Sequence, residues 1–326
     1  MSRLLEVLRL DLSHMRRRPI VWILILLLAF LTFEMSRGNA QIGSGDVRVG
    51  GTRAWLTSEF AVTQLLIMLV SILYSFFLAV AAGMTLIRDR DQNVGAILHS
   101  TRLTAGEYVW GKFLAVLLGF LGVLAVHVAV MMLCNHVLPH GENADSIGPF
   151  VLLNYLKPAL VFAFPMIVLI AGTSFAVGAL TQRAVLVFLV PLAMLLFGAF
   201  FLWEWSPNWL APWINQLLMF IDLSGLRWIN ETWLEVDRGV QFYNQRPVGL
   251  DALVVVQRLA CLLLGLGAVA VVHARYEARE RATEGGLFRR KRTQLGEVMA
   301  AAVQSATPPE ARPGGPLSGR RARPSP

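Results

Sequence analysis

Charge is scarce in this 326-residue chain. Only 15% of its residues are Asp, Glu, Lys or Arg, where soluble domains carry about 25%. Apolar residues reach 56%. They fall in blocks long enough to cross a bilayer as helix, which takes roughly 20 residues. Short segments of alternating polarity are missing, which excludes a transmembrane β-barrel. The fold class expected is therefore an all-α integral membrane protein. Cysteine is nearly absent: Cys134 and Cys261 both lie in apolar blocks. That leaves no disulfide framework and no Cys-x-x-Cys site. In mid-span the apolar blocks hold almost no titratable residues, His127 and Arg258 being the exceptions. An ion-coupled transporter needs buried Asp, Glu or His in mid-span, so the material for one is thin.

Several tempting motifs dissolve on inspection. His136 and His140 are four apart, but Pro139 breaks any helix between them, and no carboxylates complete a ligand set with His127. No metal is expected. Ser, His and Asp occur without a nucleophile motif, which argues against a membrane enzyme. Gly106-x-x-x-x-Gly111-Lys112 is one residue short of a phosphate-binding loop, because Phe113 stands where Ser or Thr is needed. That motif also requires a preceding strand and a soluble helix. No cofactor is expected on this chain. Asn230-Glu231-Thr232 fits a glycosylation sequon, a triplet that also arises by chance. The net charge of +8 sits at span ends and in the C-terminal tail, as membrane topology demands, so nucleic acid is not an expected partner.

Residues 1–18 read as an amphipathic helix. Leu4, Leu5, Leu8, Leu12 and Met15 form one face, with Arg3, Glu6, Arg9, Asp11 and His14 opposite. Such a helix lies in the membrane interface or packs on protein. Six spans are expected within 19–273, at roughly Pro19–Phe33, Phe60–Ile87, Phe113–Val137, Phe150–Leu180, Ala184–Trp203 and Leu250–His273. Pro165 and Pro191 predict kinks in the fourth and fifth. Lys and Arg set the orientation: with both termini inside, inner segments carry twenty-one and outer segments seven. Arg16–Arg18, the apolar run and Gly38-Asn39-Ala40 imitate a signal peptide, but the charged region is too long and leucine-rich, so cleavage is not expected. Residues 274–326 read as a basic tail, helical at first and disordered after about 304. The cluster Arg289-Arg290-Lys291-Arg292 suits anionic membrane lipid.

Two connections stand out. In the loop 88–112, Val94, Ile97 and Leu98 form an apolar stripe on a short helix, with Asp89 and Asp91 at its N-terminal end. The stripe lies on the membrane, on its own bundle, or in a groove of a partner. In the connection 204–249, six of the nine tryptophans fall within 203–233. The apolar run Trp209–Ile221, including Trp213, is too short to span and suits a re-entrant or interfacial helix. Pro207 and Pro212 suit helix starts, and Asp222 to Gly225 turns the chain. Arg258, two turns into the sixth span, predicts a snorkelling or paired cation, with Asp251 seven residues earlier on a similar face.

The 88–112 loop resembles the cytoplasmic loop of ABC-2 type permeases, the membrane subunits of ATP-driven exporters. The match falls on Asp91, Gly95, Leu98, Ser100, Thr101, Tyr108, Gly111 and Lys112. Two positions depart from the pattern. Arg102 stands where the family usually has Pro, and Gly106 where a basic residue often precedes the acidic-Tyr pair. The amphipathic entry helix, six spans and a long connection before the last also match. The resemblance implies that Val94, Ile97 and Leu98 dock on a separate cytoplasmic ATPase, which binds ATP and Mg. It implies a second permease copy or paralogue, a bacterial inner-membrane location, and an outer gate at the 204–249 hairpin. A membrane scaffold without transport and an ion-coupled secondary transporter are the alternatives.

Overall fold

Pro19 opens the first long helix from its first turn, where a missing N–H costs nothing. It begins a bundle in the computed structural model, which describes residues 3–37, 54–92, 103–203, 207, 209–236 and 238–306. Ten helices are named here: α1 Arg3–Arg16, α2 Pro19–Ser36, α3 Glu59–Asp91, α4 Ala105–His136, α5 Leu153–Thr181, α6 Ala184–Trp203, α7 Pro212–Ile221, α8 Leu226–Ile229, α9 Val240–Gln245 and α10 Ala252–Ala306. No strand occurs among the described residues. The protein is an all-α membrane protein. Six of its helices are long and apolar enough to span: α2 to α6, and α10 over Ala252–Arg279. Every backbone polar group in hydrocarbon must be satisfied within its own segment, which long helices achieve. Beyond residue 277 the chain forms a second unit, in which α10 stays helical to Ala306. The tail from Thr307 lies outside the described residues.

Burial ranks the spans. α5 is the central one, with 72% of its apolar window buried, and α6 is peripheral at 22%. Glycine lets the central helices meet closely. A methyl group on Gly178 of α5 would strike the Gly83 carbonyl of α3, and one on Gly172 would strike the Gly265 carbonyl of α10. Helices in lipid gain association from such close approach of small residues. Three polar side chains meet inside the bundle. His127 of α4 touches the Thr32 hydroxyl at 3.2 Å and the Tyr74 hydroxyl at 3.3 Å, linking α2, α3 and α4.

Three of the spans carry irregular turns. α3 is π-helical over Val70–Tyr74, α5 over Ala159–Ala163 and α6 over Gly198–Trp203. The α5 turn directly precedes Pro165, which has no N–H to offer the regular ladder. Pro191 lies inside a continuous helical stretch of α6.

The amphipathic N-terminal helix packs on protein. α1 lies along α4, with Val7 against Gly111 and Met15 against Gly119. Met15 is fully buried while Leu5 and Leu10 stay exposed. The Trp22 indole donates to the Arg16 carbonyl at 2.8 Å, across the break between α1 and α2. At the other end of the bundle, Lys157 of α5 meets Glu59 of α3 at 2.6 Å. Both also hold Val248, whose carbonyl accepts from Lys157 and whose N–H donates to Glu59.

Candidate functional site

The helix α4 starts earlier than the polarity of its sequence suggests. Thr104 caps it: its hydroxyl accepts from the Glu107 N–H, and the Glu107 carboxylate accepts from the Thr104 N–H. This reciprocal capping box has a readable signature, Thr-x-x-Glu ahead of an apolar run. Glu107, Tyr108, Gly111 and Lys112 therefore belong to α4, inside what the sequence presents as a loop. The other boundary moves too. Asp89 and Asp91 lie in the last turn of α3, past the expected end of the second span at Ile87. A carboxylate at a helix C-terminus opposes the helix dipole, so Asp89 needs a cation.

Lys112 supplies it. Its ammonium lies 2.8 Å from Asp89 and 2.9 Å from Asp11 of α1. The Tyr108 hydroxyl donates to the same Asp89 oxygen. Lys112 also sits 5.4 Å from the Tyr108 ring centre, and Tyr108 packs on Tyr276 of α10. The node joins α1, α3 and α4 with α10 beside it. Arg18 and Arg88 lie close: burial and the Arg88 charge lower the Arg18 pKa, opposed by Asp11 and Asp89. Asp91 is exposed beyond the node. Val94, Gly95, Ile97, Leu98, Ser100 and Thr101 lie outside the described residues. Sequence reading missed Asp11 as a partner. It stands on the polar face of an amphipathic helix, and only the close packing at Gly111 turns it toward Lys112.

The second cluster lies at the opposite end, in a helix–turn–helix between α6 and α10. α7 opens with Pro212 at its first position and buries no residue. Trp209 and Trp213 are highly exposed. The chain turns at Asp222–Gly225, as its composition predicts. One Asp222 oxygen accepts from the Ser224 N–H and hydroxyl, and the other from the Arg227 N–H at 2.8 Å. Gly225 has φ of +86°, a left-handed conformation that favours glycine. α8 is then fully buried. Arg227, which packs without exposure, donates to Asn215 and to the Leu202 carbonyl, with Glu231 3.7 Å away.

Arg258 is not paired with Asp251. Its guanidinium donates to the Leu223 and Ser224 carbonyls at 3.1 Å and to Gln257 at 2.9 Å. Gln257 in turn donates to the Met219 and Asp222 carbonyls. These are carbonyls at and beyond the end of α7, which a helix leaves without intrahelical donors. Arg258 is 5% exposed and stacks over Phe162 at 5.0 Å. Asp251 has a different task. It caps α10 by accepting from the Val254 N–H, and it accepts from the Trp228 indole at 2.9 Å. An i, i+7 spacing put the two residues on one face, but Arg258 reaches the turn first.

Beside this turn is a pocket of about 130 Å³. Ser71 and Ser75 of α3, Ser174 of α5, Gly198 of α6, and Asp222 and Ser224 line it among apolar side chains. Two of the π-helical turns thus face the hairpin tip. The histidines singled out in the sequence have protein partners: His136 meets the Tyr155 hydroxyl and His140 the Cys134 carbonyl. Gly106, Gly111 and Lys112 are helical, which is not the nest a phosphate requires.

No protein-family model matches the chain, and no curated protein matches it.

Proposed function

We propose that the chain is the permease subunit of an ATP-driven exporter of the ABC-2 type. Both termini lie in the cytoplasm of a bacterial cell and the spans cross its inner membrane. A separate ATPase binds the connection between α3 and α4 through Val94, Ile97 and Leu98, and holds the ATP and Mg. Two permease chains, identical or related, form the pathway between them. The hairpin at 204–249 controls release on the outer side, with Trp209 and Trp213 at the membrane boundary.

The Lys112 node is the observation that supports this reading. The loop's two legs, the end of α3 and the start of α4, are tied to each other and to α1 by one ammonium and one phenol. Force applied between residues 92 and 104 therefore reaches two spans and the entry helix together. The hairpin adds support, because one residue pair, Gln257 and Arg258, holds its tip to the sixth span.

ATP-dependent flux in proteoliposomes tests the proposal. The reconstituted pair is expected to transport, and Gly95→Pro is expected to abolish flux by disrupting the short helix that the sequence predicts there. Flux and ATPase binding that both survive Gly95→Pro would remove the loop from the mechanism. Transport driven by an ion gradient without ATP would favour a secondary transporter instead.

A further inference from the structure

Two arginines beside the start of the first span lack an anion. Arg18 stands at the break between α1 and α2, half-buried, and Arg88 lies in the last turn of α3. Burial and the Arg88 charge both weigh on the Arg18 guanidinium. Among the described residues neither guanidinium makes an ion pair. The carboxylates that act on Arg18 are Asp11 and Asp89, and both bond the Lys112 ammonium, at 2.9 and 2.8 Å. Three cations thus share two anions. The connection that follows α3, residues 92–104, contains no Asp or Glu to supply a third.

Basic residues at span ends satisfy topology on their own. This pair differs, because two separate segments bring the charges together and one of them is half-buried. Like charges held close disfavour each other, and an anion between them removes that cost. A phosphate suits guanidinium groups best, since the planar fork of donors matches its oxygens.

The surface next to the arginines says which phosphate. Trp22, Ile23, Leu26 and Phe30 of α2 are each more than half exposed, and only 28% of the apolar window of this helix is buried. They form an apolar stripe that runs into the bundle's hydrocarbon zone from the break at Arg18. The Trp22 indole is held at that break by its bond to the Arg16 carbonyl at 2.8 Å, the level at which tryptophan marks the membrane interface. Cations at one end of an exposed apolar stripe match a phospholipid, with its phosphate at the head and its acyl chain along the helix. Basic pockets beside spans hold anionic headgroups in this way. We propose that Arg18 and Arg88 bind the phosphate of an anionic phospholipid whose acyl chain lies along Trp22, Leu26 and Phe30. The inference does not rest on the coupling reading, and the chain without any ATPase tests it.

The test uses the full chain, delipidated in a neutral detergent and titrated with phosphatidylglycerol or phosphatidylcholine, with bound lipid counted by native mass spectrometry. Phosphatidylglycerol is expected to bind more tightly than phosphatidylcholine. Arg18→Gln and Arg88→Gln are each expected to weaken it about fivefold, the worth of one basic residue near a lipid surface. Arg88 is exposed, so its variant keeps the fold and carries the test where Arg18→Gln does not. Arg183→Gln, at the turn between α5 and α6, removes a charge at the same end of the bundle and is expected to change nothing. Glycerophosphoglycerol, the same headgroup without acyl chains, and inorganic phosphate separate a lipid from a free anion, and neither is expected to compete at the lipid's concentration. Equal binding of the two lipids, or unchanged phosphatidylglycerol binding in Arg88→Gln, would overturn the proposal. So would displacement of the lipid by either soluble anion, or a dimer that covers the α2 stripe and takes up no lipid.

Discussion

Lys112 and Asp11 stand 101 residues apart in sequence and 2.9 Å apart in space. Their contact fixes the entry helix to the start of the third span, and the same ammonium holds Asp89 of the second. Lys112→Met would leave two partly buried carboxylates with no cation between them. Fully buried pairs cost about 3–5 kcal/mol to break and exposed ones about 0–1. The node is 10–17% exposed, so a loss of about 1–3 kcal/mol is expected between those limits. Thermal unfolding in nanodiscs measures it. Asp89→Asn in the same chain relieves part of the carboxylate repulsion and is expected to recover part of the loss.

Gly225 and Gly239 form a matched pair for the hairpin. Both have positive φ, +86° and +82°. A Cβ on Gly239 meets open space, whereas one on Gly225 collides with the Arg258 guanidinium. Gly239→Ala carries only backbone strain, about 1–3 kcal/mol. Gly225→Ala carries that strain and displaces the arginine. Denaturation of the two variants side by side is expected to rank Gly225→Ala as clearly worse.

Arg258 holds the hairpin by geometry as well as charge. A guanidinium presents a planar fork of donors, and an ammonium does not. Arg258→Lys keeps the charge and cannot reach the Leu223 and Ser224 carbonyls as Arg does. Faster amide hydrogen exchange around residues 219–227 is expected in Arg258→Lys and in Arg258→Met. Unchanged exchange in both would show that the turn stands without its latch.

Much of this fold is legible in the sequence, and the limits have physical causes. Long apolar blocks mark the six spans because hydrocarbon accepts little else. The turn at Asp222–Gly225 is readable because a short acidic side chain and glycine each have a local task there. The start of α4 is misplaced by polarity alone. Glu107 and Lys112 look like loop residues, yet a capping box and a buried ion pair make them helical. The partners of Asp89, Arg258 and Asp251 depend on tertiary contacts that spacing does not encode. Asp251 and Arg258 share a face by periodicity and still serve different neighbours.

Two glycines test the central packing. Gly178→Ala places a methyl group on the Gly83 carbonyl, backbone against backbone, where neither side yields easily. Overpacking of this kind costs typically about 1–3 kcal/mol, occasionally more. Gly122 of α4 faces open space. There alanine is expected to be neutral, or stabilising by about 0.5–1 kcal/mol from helix propensity. Melting temperatures of the two variants decide it: a fall for Gly178→Ala and none for Gly122→Ala.

The central claim is that another protein drives this one through the connection between α3 and α4. The most direct test is purification of the chain in mild detergent from its own cells, scored for a co-purifying ATPase. The account predicts that an ATPase subunit comes with the native chain. It predicts loss of that subunit on Val94→Asp/Leu98→Asp, with the chain still folded. An ATPase that stays bound to the double variant, or none under conditions that keep other membrane complexes intact, would contradict it.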